Sequence, residues 1–138
     1  GDTMVPMPSH TTVDGKSIKK LVEENKIKKK KLDAIIDRTR KGGGEINKLL
    51  EKGSAFYAPA AAGVEMAESY IRDKKRVIPC ASLCEGEFGM DGYFIGVPTV
   101  IGAGGVEKVL EFSLTDEEKT GLNKTLDAVK KTVAETGL

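Results

Sequence analysis

The chain has 138 residues, 39% hydrophobic and 31% charged, with no Trp and a formal net charge of +1. That length holds one domain with a modest core. The charge excludes a dedicated nucleic-acid binder, because counterion release needs a positive excess. No apolar run approaches the roughly 18 residues of a membrane span. The two Cys provide no disulfide framework, so a reducing cytoplasm is the expected compartment.

The opening GDTMVPMPSH has neither an initiator Met nor the layout of a signal peptide. It has the look of a sentence begun in the middle. Residues 1–18 are expected to be irregular, with Pro6, Pro8 and an Asp14-Gly15 turn signal, and a short strand near Thr11–Val13.

The next region, about 27–71, is helical in pattern. Leu32, Ile35, Ile36 and Thr39 recur at spacings of three and four, and the stripe resumes at Ile46, Leu49 and Leu50. Gly42-Gly43-Gly44 interrupts it. Each helical Gly costs about 0.5–1 kcal/mol relative to Ala, so the triplet predicts a break, a kink or a close approach by something else. A second helix is expected after Gly53, with Ser54 as N-cap and Pro59 in the first turn, where a missing N–H is harmless. Phe56, Ala60, Gly63, Val64, Ala67, Tyr70 and Ile71 form its apolar stripe.

Residues 76–114 read as strands. Arg76–Cys84 is a short mixed run, and Tyr93–Ile101 is rich in β-branched and aromatic residues. In Val106–Leu114, the residues Val106, Leu110, Phe112 and Leu114 are expected to face one way. Gly102-Ala103-Gly104-Gly105 predicts an antiparallel hairpin between the last two strands. Thr115-Asp116-Glu117-Glu118 is a capping box opening a terminal helix, with Leu122, Leu126, Val129 and Val133 as its buried stripe. Helices and strands are segregated, which predicts an α+β fold: long broken helices packed on an antiparallel sheet, with a C-terminal helix.

The candidate chemistry is sparse. The 102–105 glycines come after a strand, as a dinucleotide loop would, but the residues beyond them have period 2 and offer no helix N-terminus to a pyrophosphate. His10 is the only histidine and has no patterned acid or nucleophile beside it. Cys80 and Cys84 would lie about 13 Å apart along a strand, too far for a disulfide. With one His in the chain a zinc site lacks ligands, so both Cys read as small core residues. Lys26–Lys31 is interrupted by Ile27 and followed by Asp33 and Asp37, which suits a solvated helix start. The small-residue stretches Gly42–Gly44 and Lys52–Pro59 are left as candidates for a pocket wall, against a plain helix connection.

Six stretches then carry a resemblance: GDTMVP, KLDAIIDRTRKGGGEI, GSAFYAPAAAGVEMAESYI, KKRVIPC, GVPTVIGAGGVEKVLE and the closing helix. In this order, and covering essentially 1–138, they resemble the C-terminal, substrate-domain half of malate dehydrogenases of the lactate-dehydrogenase-like type. The resemblance implies several things at once. The whole chain is the C-terminal domain, and an N-terminal Rossmann domain lies outside it. The catalytic histidine is the residue immediately before Gly1, and the aspartate that orients it and the arginines that hold substrate lie further upstream. His10 does not match the catalytic position. Gly43, Ala55 and Pro59 match positions lining the substrate pocket, while Gly1 and Asp2 flank the histidine, with Asp2 a nearby charge. The implied reaction is NAD-dependent interconversion of malate and oxaloacetate, with NAD bound mainly by the Rossmann half, in a homotetramer. Lactate dehydrogenase of the same family is the rival within that class. Two further readings belong to other classes: a non-catalytic assembly module, and a basic helix that binds acidic partners through Lys26–Lys31.

Overall fold

The computed structural model describes residues 3–137. Two units emerge: residues up to Ser54 with Leu114–Lys124, and Ala55–Ser113 with the remainder of the terminal helix.

In the first unit, β1 (Thr12–Val13) pairs antiparallel with β2 (Lys16–Ser17). The turn between them places Asp14 and Gly15 both at positive φ, 50° and 74°, as the twist of a two-residue hairpin requires. A short helix α1 (Ile18–Glu23) follows. Its two apolar residues, Ile18 and Leu21, are buried and join Leu122 in the core. Six residues are too few for a periodic signal, so the sequence pattern alone did not announce α1.

Helix α2 runs unbroken from Lys29 to Leu50. The expected interruption at Gly42–Gly44 does not occur. Propagation adds one hydrogen bond per residue once a helix is nucleated, and strong helix formers flank the glycines on both sides. Arg38 spans the triplet to reach Glu45 with two bonds, Nε at 3.0 Å and Nη2 at 2.8 Å. No residue of α2 is buried: Ile35, Ile46, Leu49 and Leu50 all stay exposed, Leu49 at 77%. The periodic stripe is present: Leu32 and Ile36 at its start are half-buried, while its later members are exposed.

The same unit holds the start of α4 (Asp116–Thr136). The capping box forms as expected. The Glu118 N–H donates to Thr115 Oγ1 (3.2 Å), and the Thr115 N–H donates to Glu118 Oε2 (2.9 Å). Leu122 is buried, while further along the stripe Leu126 and Val129 are half-buried. Val133 is exposed, contrary to expectation, one turn past Lys130, whose Nζ stands 5.5 Å over the Tyr93 ring.

The second unit centres on a three-stranded antiparallel sheet, in order β3 (Arg76–Glu85), β4 (Asp91–Gly102), β5 (Gly105–Val109). Cys84, Met90, Ile95, Val97, Ile101 and Val109 make its core. The β4–β5 hairpin turns at Ala103-Gly104, with Gly105 at φ 86°. A register shift sets Val100 opposite Lys108 but Ile101 opposite Val106, which leaves Glu107 as an extra residue. That bulge reverses the expected facing: Val109 is buried and Val106 is 54% exposed. The strand also stops at Val109 rather than reaching Leu114.

Helix α3 (Tyr57–Ile71) begins later than expected. Phe56, not Ser54, holds the N-cap position, without a side-chain cap. Pro59 supplies the reason. As the third helical residue it lies in the first turn, where its missing N–H costs nothing; a start at Ala55 would have put it where an N–H is needed. Only Ser69 of α3 is buried. Its hydroxyl donates to the Ile101 carbonyl (2.6 Å) and accepts the Arg76 N–H (3.2 Å), joining helix end to sheet. Phe56, Tyr57, Val64, Tyr70 and Ile71 remain exposed. The α+β class holds, and the helices are long but unbroken.

Candidate substrate-pocket wall

Gly43 sits mid-helix in α2, on the first unit. A Cβ built there, or on Gly42 or Gly44, meets nothing within 4 Å. No close approach among the described residues accounts for the glycines. Gly43 lines a shallow groove of about 540 Å³ with Arg38, Lys41, Glu45 and Lys48, rimmed by Asp37 and Arg40. Four basic side chains there face two acidic ones. Lys41 pairs with Asp37 (2.8 Å), and Arg38 with Glu45. The Arg38 guanidinium, through its hydrogen bonds, holds the Glu45 carboxyl below the usual carboxylate range. The groove is thus positive in balance, with a bare backbone at its floor, which suits a small anion more than a cation.

Ala55 and Pro59 belong to the second unit. Ala55 is half-buried, and its carbonyl accepts the Ala58 N–H (3.0 Å), closing the turn into α3. Pro59 is exposed on the first turn. Gly43 and the Ala55–Pro59 pair therefore lie on separate units. Gly1 and Asp2 lie outside the described residues.

The remaining candidates resolve simply. His10 is exposed in a turn, its N–H donating to the Met7 carbonyl (3.1 Å). Cys80 and Cys84 are both unbridged; Cys84 is fully buried in the core, Cys80 only half-buried. Burial pushes the Cys84 thiol up. Lys26–Lys31 is largely solvated, and Lys29 pairs with Asp33 (3.0 Å). The 102–105 glycines form the expected hairpin. Their fit to a dinucleotide is poor, because the chain turns straight back into β5 and presents no helix N-terminus. Among the described residues no group of three or more His, Cys, Asp or Glu could hold a metal ion. Nor is any helix there long and apolar enough to cross a membrane.

One constellation near the N-terminal end escaped the sequence reading. The segment Met4–Ser9 lies against α4 and α2. Arg40 Nε donates to the Met4 carbonyl (3.2 Å). The Val5 methyls stand 3.0 and 3.2 Å from where a Cβ on Gly121 would be. Ser9 donates to Glu118 Oε1 from both Oγ (2.6 Å) and N (3.4 Å). Burial pushes the Glu118 carboxyl up, but the bonds from Ser9 and Thr115 outweigh it and leave it below its ordinary value. The capping-box pattern pointed to Glu118; nothing in the spacing pointed to its second partner, 109 positions away.

Comparison with known proteins places this arrangement. Residues 1–137 match the family model described as lactate/malate dehydrogenase, alpha/beta C-terminal domain. The chain is 58% identical over its full length to malate dehydrogenase 1 of Anaeromyxobacter dehalogenans, spanning 43% of that protein. It is 54% identical over 97% of its length to a malate dehydrogenase of Rhodopirellula baltica, spanning 41% of it. Among solved structures, Cryptosporidium parvum malate dehydrogenase superposes over the whole chain with TM-score 0.94 and 40% identity, 44% of that chain being covered. The lactate dehydrogenase of the same organism, complexed with lactic acid and nicotinamide adenine dinucleotide, superposes over 95% of this chain and 41% of its own, with TM-score 0.91 and 40% identity. The chain spans less than half the length of these relatives, and it belongs to the lactate/malate dehydrogenase C-terminal domain family.

Proposed function

We propose that this chain is the substrate-domain part of an NAD-dependent malate dehydrogenase that interconverts malate and oxaloacetate. The observation that carries the reading is the 58% identity, across the entire chain, to a protein named malate dehydrogenase. The chain's own share of the work is a pocket wall. Gly43 on α2 is the position of the first unit assigned to it, and Ala55 and Pro59 at the entry to α3 are those of the second; each is small, as room for a C4 dicarboxylate requires. NAD, when bound, supplies or accepts the hydride, and its cradle is assigned to an upstream Rossmann half; the 102–105 loop turns straight back into β5 and offers it no helix N-terminus. The histidine that moves the hydroxyl proton stands immediately before Gly1, with Asp2 among the charges near it.

The open apolar faces support an assembly larger than this chain. Tyr57, Val64 and Ile71 of α3 are each more than two-thirds exposed, a density of surface hydrophobes that marks contact with other protein. We assign those faces to the Rossmann half and to neighbouring copies in a homotetramer. The enzyme would work in the cytoplasm, within the tricarboxylic acid cycle. A lactate dehydrogenase is the second reading, favoured by the equal TM-scores of 0.91 for a lactate dehydrogenase of Cryptosporidium parvum and a malate dehydrogenase of Salinibacter ruber. Oxidation of NADH by the full-length protein, with oxaloacetate and pyruvate compared at equal concentration, decides between them. A preference for oxaloacetate is expected; a strong preference for pyruvate overturns the malate assignment, and no turnover of either overturns both.

A further inference from the structure

We infer that Arg40 and Glu118 are positioning residues for the dehydrogenase reaction, acting as a clamp on the segment Met4–Ser9 and, through it, on the histidine upstream. The inference rests on the proposed function, which puts that histidine immediately before Gly1.

The physical argument starts from Glu118. A capping box needs one acceptor oxygen, and Gln serves as well as Glu. Here both oxygens are engaged: Oε2 accepts the Thr115 N–H, while Oε1 accepts the Ser9 hydroxyl and is approached by the Ser9 N–H. Glu118 as a residue is only 6% exposed, so neither bond is exchangeable with water at little cost. The bond from the Ser9 hydroxyl is surplus to helix capping. Its effect is to tie the segment to the first turn of α4.

Arg40 holds the other end. Its Nε donates to the carbonyl of Met4, a residue that belongs to no strand or helix. Between the two holds, Val5 fits where Gly121 leaves α4 without a side chain, and Pro6 and Pro8 each fix φ. A segment gripped at both ends and stiffened in the middle transmits position. Three residues lie between Met4 and the site of the histidine, so the two α-carbons are at most about 14 Å apart along extended chain. A shift of order 1 Å in a reacting group costs up to about 100-fold in rate.

The test uses the full-length dehydrogenase, assayed with oxaloacetate and NADH well below its melting temperature. Variants Arg40→Met, Glu118→Gln and Ser9→Ala are compared with Arg40→Lys and Ser9→Thr, which restore a donor. The clamp predicts about a tenfold fall in kcat with KM changed less than twofold, and recovery of at least half the loss by the donor-restoring pair. Ser9→Ala leaves the capping box intact, so it reports even where Glu118→Gln fails to fold. Melting temperatures lowered in step with an unchanged kcat overturn the inference and leave a structural role only. A wild-type enzyme inert towards both oxaloacetate and pyruvate overturns the proposed function, and the inference with it.

Discussion

Gly43→Ala separates the needs of the helix from the needs of the site. Among the described residues nothing asks for glycine at 43. The residue is helical, its φ is not positive, and a methyl there meets no atom within 4 Å. Replacing it with Ala should therefore stabilise α2 by about 0.5–1 kcal/mol. Gly42 and Gly44 have the same open surroundings, so the triplet together costs the helix roughly 1.5–3 kcal/mol. A helix gives up that much where another molecule needs the space.

If Gly43 lines the pocket, the added methyl occupies volume meant for substrate. Overpacking by one methyl group costs about 1–3 kcal/mol, which is roughly five- to 150-fold in kcat/KM for oxaloacetate. The expected outcome is a protein that is harder to denature and a poorer enzyme. Urea denaturation and steady-state NADH oxidation on the same preparation measure both, with Gly42→Ala as the control for helix propensity. A Gly43→Ala enzyme with raised stability and unchanged kcat/KM would refute the pocket-wall assignment.

Four other outcomes are expected. Ser69→Ala strips a fully buried hydroxyl from both the Ile101 carbonyl and the Arg76 N–H; it should cost about 2–3 kcal/mol in chemical denaturation, and a loss below about 0.5 kcal/mol would mean that the α3–sheet joint lies elsewhere. Thr115→Ala removes the N-cap acceptor of α4 and should cost about 1 kcal/mol by the same assay, whereas an unchanged midpoint would show the cap to be dispensable. The Glu118 carboxyl is held below its unfolded value, so its contribution is complete above about pH 4.3 and fades as pH falls through the folded value; the stability gap between wild type and Glu118→Gln should narrow between pH 6 and pH 3, and a gap that widened would reverse the sign argued here. Cys80 should be alkylated before Cys84 at pH 8, because Cys84 is fully buried and its thiol is pushed up; peptide mapping that found Cys84 labelled first would contradict the packing of β3.

Some of this molecule was legible in the sequence because local chemistry settled it. Asp14-Gly15 can adopt two successive positive φ values cheaply, and the Thr115–Glu118 spacing brings a hydroxyl and a carboxylate onto one helical turn. Those elements appear where they were expected. The errors share a different cause. The fate of Gly42–Gly44 depended on cooperativity along 22 residues and on an ion pair seven residues apart, neither of which a local glycine penalty records. The facing of Val106 depended on a bulge, and a bulge depends on the partner strand's register. The second bond of Glu118 joined residues 109 positions apart, and no periodicity encodes such a pair.

The exposed stripes carry the argument furthest. Ile35, Ile46, Leu49 and Leu50 recur with the period of a buried helix face, and Phe56, Val64 and Ile71 do likewise from the N-cap of α3 onward. Yet all seven are exposed. Periodicity reports that a face is to be buried, and it is silent about what buries it. A surface that was merely solvated would gain nothing from keeping apolar residues in register over about four helical turns on each helix. In the proposed dehydrogenase these faces meet the Rossmann half and neighbouring subunits, and the prediction is direct: Leu49→Lys and Ile71→Lys, each at a position more than three-quarters exposed here, should leave the secondary structure measured by circular dichroism intact but weaken assembly of the full-length protein. Burying an unpaired ammonium is far costlier than leaving it in water, so the loss should appear as a shift towards smaller species in sedimentation velocity. If both variants assembled as the wild type does, the stripes would be solvent faces after all, and their helical register would have no physical cause in this protein.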